Sequence, residues 1–257
     1  MLSQIEIEKI ENKYLNKFYH FLKFAEDEMM YGFQTKEKIK DDWIWKYWWA
    51  NWWISDFSTW AERIVYALLN GKWIWQPNSC PVGSDLFFEV NDAYIHIDLK
   101  TVQTGNINDY RESIFVWENQ NSYKWKMKVT RGKNKWERNY LPALPTYYNR
   151  WKPNEKICLT YFVTILYEPE NLNIININII CMPNWELWSH YGSKVLRPWK
   201  LEHETRFSLI DTQKFELLPD TPNRIKVVFF DKNMNSENRK KLKFFESIYD
   251  SQKDNEC

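Results

Sequence analysis

The sequence predicts an α+β fold in which helices flank one mixed, mostly antiparallel sheet of about five strands. Residues 82–90 and 93–102 alternate apolar and polar side chains around a two-residue turn, as a tight β-hairpin does. Residues 157–167 and 172–182 are rich in aliphatic and β-branched side chains and have the length of central strands. Amphipathic helical patterns lie towards both ends of the chain.

The first predicted helix covers residues 4–31. Its apolar residues lie roughly on one stripe, and Gly32 is the predicted stop. The stripe consists of Ile5, Ile10, Leu15, Phe18, Leu22 and Ala25. Residues 43–60 then hold seven tryptophans, which favours an aromatic helix packed under the sheet or at a subunit contact. Stacking on unpaired bases is the alternative interpretation.

A second helix is predicted over residues 59–70, with Ser58 or Thr59 as its N-cap and the following Gly71 as its end. Glu62 lies three residues after Thr59, so the two residues fit a capping box. A short strand over 72–76 and a turn over 77–83 lead the chain into the hairpin.

The hairpin turns at Asn91-Asp92, so residue i faces residue 183 − i. One face is apolar and the other mostly polar. The apolar face holds Leu86, Phe88, Val90, Ala93, Ile95, Ile97 and Leu99; the polar face holds Asp85, Phe87, Glu89, Tyr94, His96, Asp98 and Lys100. Asp85 thus faces Asp98 with Cβ atoms about 5 Å apart. Two facing carboxylates favour a divalent cation, a shared proton or the neighbouring ammonium, unless this face is simply solvated.

Residues 105–154 are predicted to be a basic excursion from the sheet. Between residues 119 and 153, nine cations face Glu137 alone, a charge of +8 in a protein whose total is +1. Lysine and arginine bind the phosphate backbone of DNA, and arginine and asparagine can also read base edges. The predicted DNA-binding residues are Lys124, Lys126, Lys128, Arg131, Lys133, Asn134, Lys135, Arg138, Asn139, Asn149 and Arg150. A solvated basic loop without a partner is the alternative.

After the two central strands, which are joined by a turn over residues 168–171, a last strand is predicted within 219–230. The tail from Asp231 is either a charged amphipathic helix or a frayed end.

A chain of 257 residues can bury a substantial core as one domain, so residues 1–257 are predicted to form a single domain. Its four cysteines lie far apart without a C-x-x-C pair, which argues against a zinc ribbon or a disulfide framework and fits a reducing cytosol. The charged amino terminus does not resemble a signal peptide, and no stretch approaches the about 20 apolar residues of a membrane span. A cytoplasmic protein with no membrane association is therefore expected.

The hairpin carries a resemblance to a known family. Gly83-Ser84-Asp85, then twelve residues, then Asp98-Leu99-Lys100 resembles the PD-(D/E)XK nuclease motif, and Thr101 strengthens the likeness to type II restriction endonucleases. Ser84 stands where the family has a proline, and this difference removes no group that takes part in the chemistry. The matched signature covers only about twenty residues, and it gains weight from the hairpin register that brings its three charged groups together.

The resemblance implies a Mg²⁺-dependent endonuclease that cuts double-stranded DNA at a specific sequence and leaves 5′-phosphate and 3′-hydroxyl ends. Asp85, Asp98 and the backbone carbonyl of Leu99 would hold the metal, and Lys100 would position the attacking water. In such families an acidic residue on the helix before the hairpin can supply or support the metal site, which gives Glu62 a second interpretation beside the capping box.

Three function classes remain open on the sequence: a restriction enzyme, a structure-specific repair or recombination endonuclease, and a non-catalytic DNA-binding protein. A restriction enzyme must cut both strands of the DNA duplex, which run in opposite directions, and a two-fold dimer provides one active site for each DNA strand. A homodimer that cuts a palindromic site is therefore expected.

Overall fold

The computed structural model describes residues 2–35, 57–69, 85–131, 134–199, 204–219 and 223–254, without the side chains of residues 127–136. The tryptophan-rich residues 43–56, the predicted strand over 72–76 and the turn over 77–83 lie outside this description. No helix in the described part of the chain is long and apolar enough to span a membrane.

The described helices are α1 (Gln4–Phe24), α2 (26–35), α3 (Phe57–Leu69), α4 (Asn108–Arg111), α5 (Trp188–Tyr191), α6 (Ser236–Lys241) and α7 (Lys243–Asp254). The described strands are β1 (Leu86–Glu89), β2 (Ala93–Gln103), β3 (Ser113–Phe115), β4 (Trp125–Arg131), β5 (Asn134–Tyr140), β6 (Tyr147–Tyr148), β7 (Lys156–Tyr167), β8 (Ile174–Met182), β9 (Leu196–Pro198), β10 (Thr205–Ser208) and β11 (Ile225–Phe230). The predicted last strand is confirmed, and the carboxy-terminal tail is helical.

The central sheet has the order β1-β2-β7-β8-β11, with β6 also paired to β7. Among the described strands of this sheet, only β2 and β7 pair in parallel, and the other pairs are antiparallel. This confirms the mixed, mostly antiparallel α+β prediction. The two strands predicted to be central, β7 and β8, are buried along almost their whole length.

Two asparagines in the middle of β8 are buried without disrupting the sheet. The Tyr110 hydroxyl donates to Oδ1 of Asn176 over 2.8 Å and accepts from Nδ2 of Asn178 over 2.8 Å. This tyrosine from α4 gives each buried amide one hydrogen-bond partner, which lowers the cost of placing the alternating Ile-Asn strand in the centre of the sheet.

The hairpin register is confirmed. Each β1–β2 pair from Leu86–Ile97 to Glu89–Tyr94 obeys the predicted relation, and the amide of Val90 donates to the carbonyl of Ala93 across the turn. The predicted apolar face is buried except Val90, which is half-buried.

The amino-terminal helix begins at Gln4 as predicted, but its buried face differs from the predicted apolar stripe. Ser3 and Glu6 form a capping box, which fixes the start of α1. Ile5 is 48% exposed, while Glu8 and Glu11 are fully buried and paired with the buried Arg224 from the segment before β11. The predicted stripe included Ile5 and left out the two glutamates, because the sequence does not reveal that Arg224, more than 200 residues away, pairs with them.

Gly32 does not end the helix, since α2 continues to residue 35. A Cβ atom at this position would lie 3.1 Å from Cδ1 of Ile64, and Nε1 of Trp60 donates to the Gly32 carbonyl over 3.0 Å. The glycine therefore allows α2 and α3 to approach each other closely.

Two small sheets lie outside the central one. One has the order β3-β10-β9, and the other is the antiparallel pair β4-β5. The β4-β5 hairpin lies within the predicted basic excursion, and the sequence analysis did not predict this strand pair.

Candidate active site

Asp98 lies in the middle of β2 and is only 4% exposed. Because side chains alternate along a strand, Asp98 shares a face with His96 and Lys100, while Ile97 and Leu99 point to the other side. Burial raises the pKa of Asp98 well above its ordinary value; Lys100 opposes the shift, and the carboxylate of Asp85 adds to it. Burial therefore disfavours the ionised form of Asp98, and the positive charge of Lys100 partly offsets this effect.

Asp85 immediately precedes β1 and adjoins Asp98 from the facing strand. Its Oδ2 accepts a hydrogen bond from the Leu99 amide over 2.6 Å. This bond fixes the orientation of the carboxylate at the point where the β1–β2 ladder ends. The two carboxyl groups interact directly, as the sequence predicted from the register.

Lys100 completes the charged group. Its Nζ lies 2.5 Å from Oδ2 of Asp98, and its side chain is 17% exposed. The same Nζ donates to Oε1 of Gln120 over 3.1 Å. The structure therefore brings Asp85, Asp98 and Lys100 together on one face of the hairpin.

This face is not an ordinary solvated surface. His96 is fully buried, and its Nε2 lies 3.0 Å from the hydroxyl of Tyr148 on β6. Tyr148 also packs against Phe87 and Tyr94. Burial lowers the pKa of His96 to about 3, so its imidazole is neutral at neutral pH. The alternative of a solvated hairpin face is therefore wrong for His96 and Asp98.

The chemistry of the carboxylate pair fits a hard divalent cation. Oδ2 of Asp98 is buried, and the ammonium of Lys100 lies 2.5 Å from it. Carboxylate oxygens are preferred ligands of Mg²⁺, which commonly uses one or two of them together with water and substrate phosphate. No cluster of three or more histidine, cysteine, aspartate or glutamate residues that could hold a metal occurs in the described ranges. Leu99 offers a backbone carbonyl next to the pair, and its role as a ligand stays a prediction.

The capping-box interpretation of Glu62 is wrong. The helix α3 is described from Phe57, so Thr59 lies inside the helix and not at its N-cap. Glu62 is half-buried beside Ala61, a core residue of α3, and α3 packs on β2. Its interpretation as an acidic residue that supports the metal site stays a prediction.

We expect Glu62→Gln to slow DNA cleavage by about 10- to 100-fold, the usual effect of losing a residue that supports a metal site. Its melting temperature should change little, since no cap is lost and glutamine has the same size. Cleavage assays and thermal melts of both proteins check this. The matched control is Glu28→Gln, an exposed glutamate on α2. Full activity of Glu62→Gln would leave Glu62 outside the site.

The predicted DNA-binding residues fall into three groups. Lys124, Lys126, Asn139 and Arg150 are exposed, although Lys126 pairs with Glu137 over 2.7 Å. Arg138 is half-buried and donates to the hydroxyl of Thr205 on β10, and Nδ2 of Asn149 lies 3.4 Å from the hydroxyl of Tyr94. The side chains of Lys128, Arg131, Lys133, Asn134 and Lys135 lie outside the description.

The sequence did not indicate Gln120 as part of the site. It is uncharged, lies 20 residues from Lys100 and belongs to a short 3-10 turn, Glu118–Gln120. No charge pattern or periodicity distinguishes such an amide from a surface residue. Only its burial, at 5% exposure, and its contact with Nζ of Lys100 reveal it.

Two solved structures share this fold over most of their length. The restriction endonuclease BglI bound to its DNA recognition sequence matches with a TM-score of 0.64 and 14% identity, covering 88% of this chain and 91% of that one. The tetrameric restriction endonuclease SfiI bound to cognate DNA matches with a TM-score of 0.65 and 14% identity, covering 91% and 88%. No curated protein matches the sequence.

Family models cover most of the chain. Residues 3–171 match the N-terminal domain of the type II restriction enzyme MwoI, and residues 174–230 match its central domain. The boundary between the two models falls between β7 and β8, which are neighbours in one sheet. The chain therefore belongs to the MwoI family of type II restriction enzymes, and its activity is that of a type II site-specific deoxyribonuclease.

Proposed function

We propose that this enzyme cuts both strands of a specific DNA sequence with Mg²⁺ held by Asp85, Asp98 and the carbonyl of Leu99. The observation that supports this most directly is the meeting of two carboxylates and one ammonium on a partly buried hairpin face. A divalent cation bound there eases deprotonation of the attacking water and stabilises the charge that develops on the phosphate.

Lys100 is the electrostatic partner of the reacting phosphate. An ammonium has three N–H donors. Two of them are directed to Asp98 and Gln120, which leaves a third for the water or the phosphate. Its positive charge stabilises the transition state in a site that is largely closed to solvent.

The products follow from which bond breaks. Water attacks the phosphorus, and the bond from phosphorus to the 3′ oxygen breaks. The 3′ oxygen takes up a proton and leaves as a hydroxyl, while the phosphate stays on the 5′ end. One water is consumed for each strand cut.

The basic segment 119–153 provides the DNA contacts. Lys124 and Lys126 start the β4-β5 hairpin, are exposed, and are suited to phosphates; Asn139 and Arg150 are exposed and can also reach base edges. Arg138 has an internal partner in Thr205, so a contact with DNA requires it to exchange that bond.

Digestion of plasmid DNA with Mg²⁺, followed by run-off sequencing of the ends, tests the proposal. Discrete fragments with a single end sequence, ligatable without prior phosphorylation, are expected. Smears or cuts that depend on branches would instead indicate a repair or recombination enzyme. Binding without cutting in Mg²⁺ would contradict the catalytic assignment.

We further propose a homodimer on DNA, since one active site cuts one strand and the scissile strands run in opposite directions. Light scattering of the protein with a duplex carrying its site, in Ca²⁺, is expected to give two chains per duplex. A one-to-one complex that still makes double-strand breaks would contradict the dimer.

A further inference from the structure

The segment that connects the active site to the basic hairpin is buried and polar. Gln120, Asn121, Ser122 and Tyr123 follow one another, and none is more than 5% exposed. A loop of polar residues is normally solvated, because buried polar groups need partners. Each side chain in this run has one, and the partners lie in different parts of the molecule.

Gln120 contacts the active site. Its Oε1 accepts from Nζ of Lys100 over 3.1 Å and from the Trp117 amide over 3.0 Å. Both partners are donors, so the side-chain oxygen, and not the amide nitrogen, must face them. The second bond closes the turn Glu118–Gln120 and thereby fixes where the oxygen sits.

Asn121 contacts the base of the basic hairpin. Its Nδ2 donates to the hydroxyl of Tyr140, the last residue of β5, over 2.7 Å, and to the carbonyl of Trp117 over 3.1 Å. Tyr140 is buried at 1% exposure. The chain just after the hairpin is tied to the same turn, since the Ala143 amide donates to the Glu118 carbonyl over 2.7 Å.

We propose that Gln120 is the positioning residue for Lys100, and that Asn121 couples this position to the seating of the basic hairpin on DNA. The inference rests on the proposed roles of Lys100 and of segment 119–153. The Gln120 side chain binds the ammonium of Lys100, and the side chain of the next residue, Asn121, binds Tyr140 at the end of β5. A shift of the hairpin therefore moves the acceptor that directs Lys100. Correct docking on the cognate sequence completes the catalytic geometry, and incorrect docking leaves the ammonium misplaced.

Gln120→Met tests the positioning role, because methionine has a similar volume but offers no strong acceptor. Under single-turnover conditions at saturating DNA, we expect cleavage to slow by about 10- to 100-fold. The dissociation constant for the same duplex in Ca²⁺ should stay within about twofold of the wild-type value. A purely structural role would instead lower the melting temperature and DNA binding, with normal cleavage by the protein that remains folded and bound.

If the methionine variant does not fold, Gln120→Asn tests the positioning role instead. It keeps the amide but is one methylene shorter, so it withdraws the acceptor from Lys100, and the same separation of cleavage from binding is expected. Glu118→Gln, an exposed neighbour in the same turn, is the matched control and should cut normally. Wild-type cleavage by a folded Gln120→Met or Gln120→Asn would overturn the positioning role.

Asn121→Leu tests the coupling. We expect the ratio of cleavage rates between the cognate duplex and a duplex with one base pair changed to fall by about tenfold, the scale of a modest coupling energy. An unchanged ratio in a folded variant would overturn the coupling. A wild-type protein that does not cut, or a Lys100→Ala variant that does, would instead contradict the proposed function itself.

Discussion

Lys100→Ala is expected to abolish useful DNA cleavage while leaving folding and DNA binding intact. The ammonium lies 2.5 Å from Oδ2 of Asp98, and losing a preorganised donor of this kind costs about 100- to 1000-fold in rate. Lys100→Arg should fail as well, because the bulkier, forked guanidinium cannot replace a compact ammonium between Asp98 and Gln120. Cleavage and Ca²⁺-supported binding assays on both variants check this.

The control for Lys100 is Lys194→Ala, since Lys194 is a half-exposed lysine that pairs with Glu216 outside the site. It should cut at the wild-type rate. Robust cleavage by Lys100→Ala would show that Lys100 is a bystander and would remove the reason for the Gln120 contact as well.

Asp98→Asn and Asp85→Asn are each expected to lower cleavage by about three orders of magnitude, several kcal/mol of transition-state stabilisation. The change preserves size and removes the charge that attracts a cation. Binding of DNA in Ca²⁺ should be retained or become tighter, because a negative charge that repels phosphate is lost. Cleavage time courses and binding titrations on the same preparations separate the two effects.

Asp250→Asn is the matched control, since Asp250 is half-exposed and pairs with Lys232 near the carboxy terminus. Near wild-type turnover by either Asp85→Asn or Asp98→Asn would remove the metal site from this hairpin.

The hairpin and the central strands could be predicted because their patterns are local. Alternation around Asn91-Asp92 fixes the register of β1 and β2, and the register then places Asp85 beside Asp98. The aliphatic runs of β7 and β8 need only their own composition to indicate buried strands.

The missed features depend on partners that are distant in the sequence. Glu8 and Glu11 can be buried because both pair with Arg224, and no periodicity reveals that arginine. Gly32 is a packing contact with Ile64 instead of a helix stop. The apparent capping box at Glu62 failed because the same three-residue spacing also occurs inside a helix.

The basic segment was predicted by charge and not by structure. In β4, Trp125, Met127 and Val129 alternate with Lys126 and Lys128, a period-two pattern typical of a strand, but the excess of positive charge determined how the segment was interpreted. The sequence therefore indicated a partner for this segment more clearly than its conformation. Gln120, at the entrance to the same segment, shows that a residue without charge or pattern can still contact the reacting group.

The measurement that tests the central claim most directly is a calorimetric titration of Ca²⁺ into the enzyme bound to an uncut cognate duplex. Ca²⁺ takes oxygen ligands like those of Mg²⁺ but tolerates a looser geometry. We predict saturable binding to the wild-type complex that is lost or strongly weakened in Asp85→Asn and in Asp98→Asn, and retained in Asp250→Asn. Equal binding by the wild type and both active-site variants would contradict a metal site at Asp85 and Asp98.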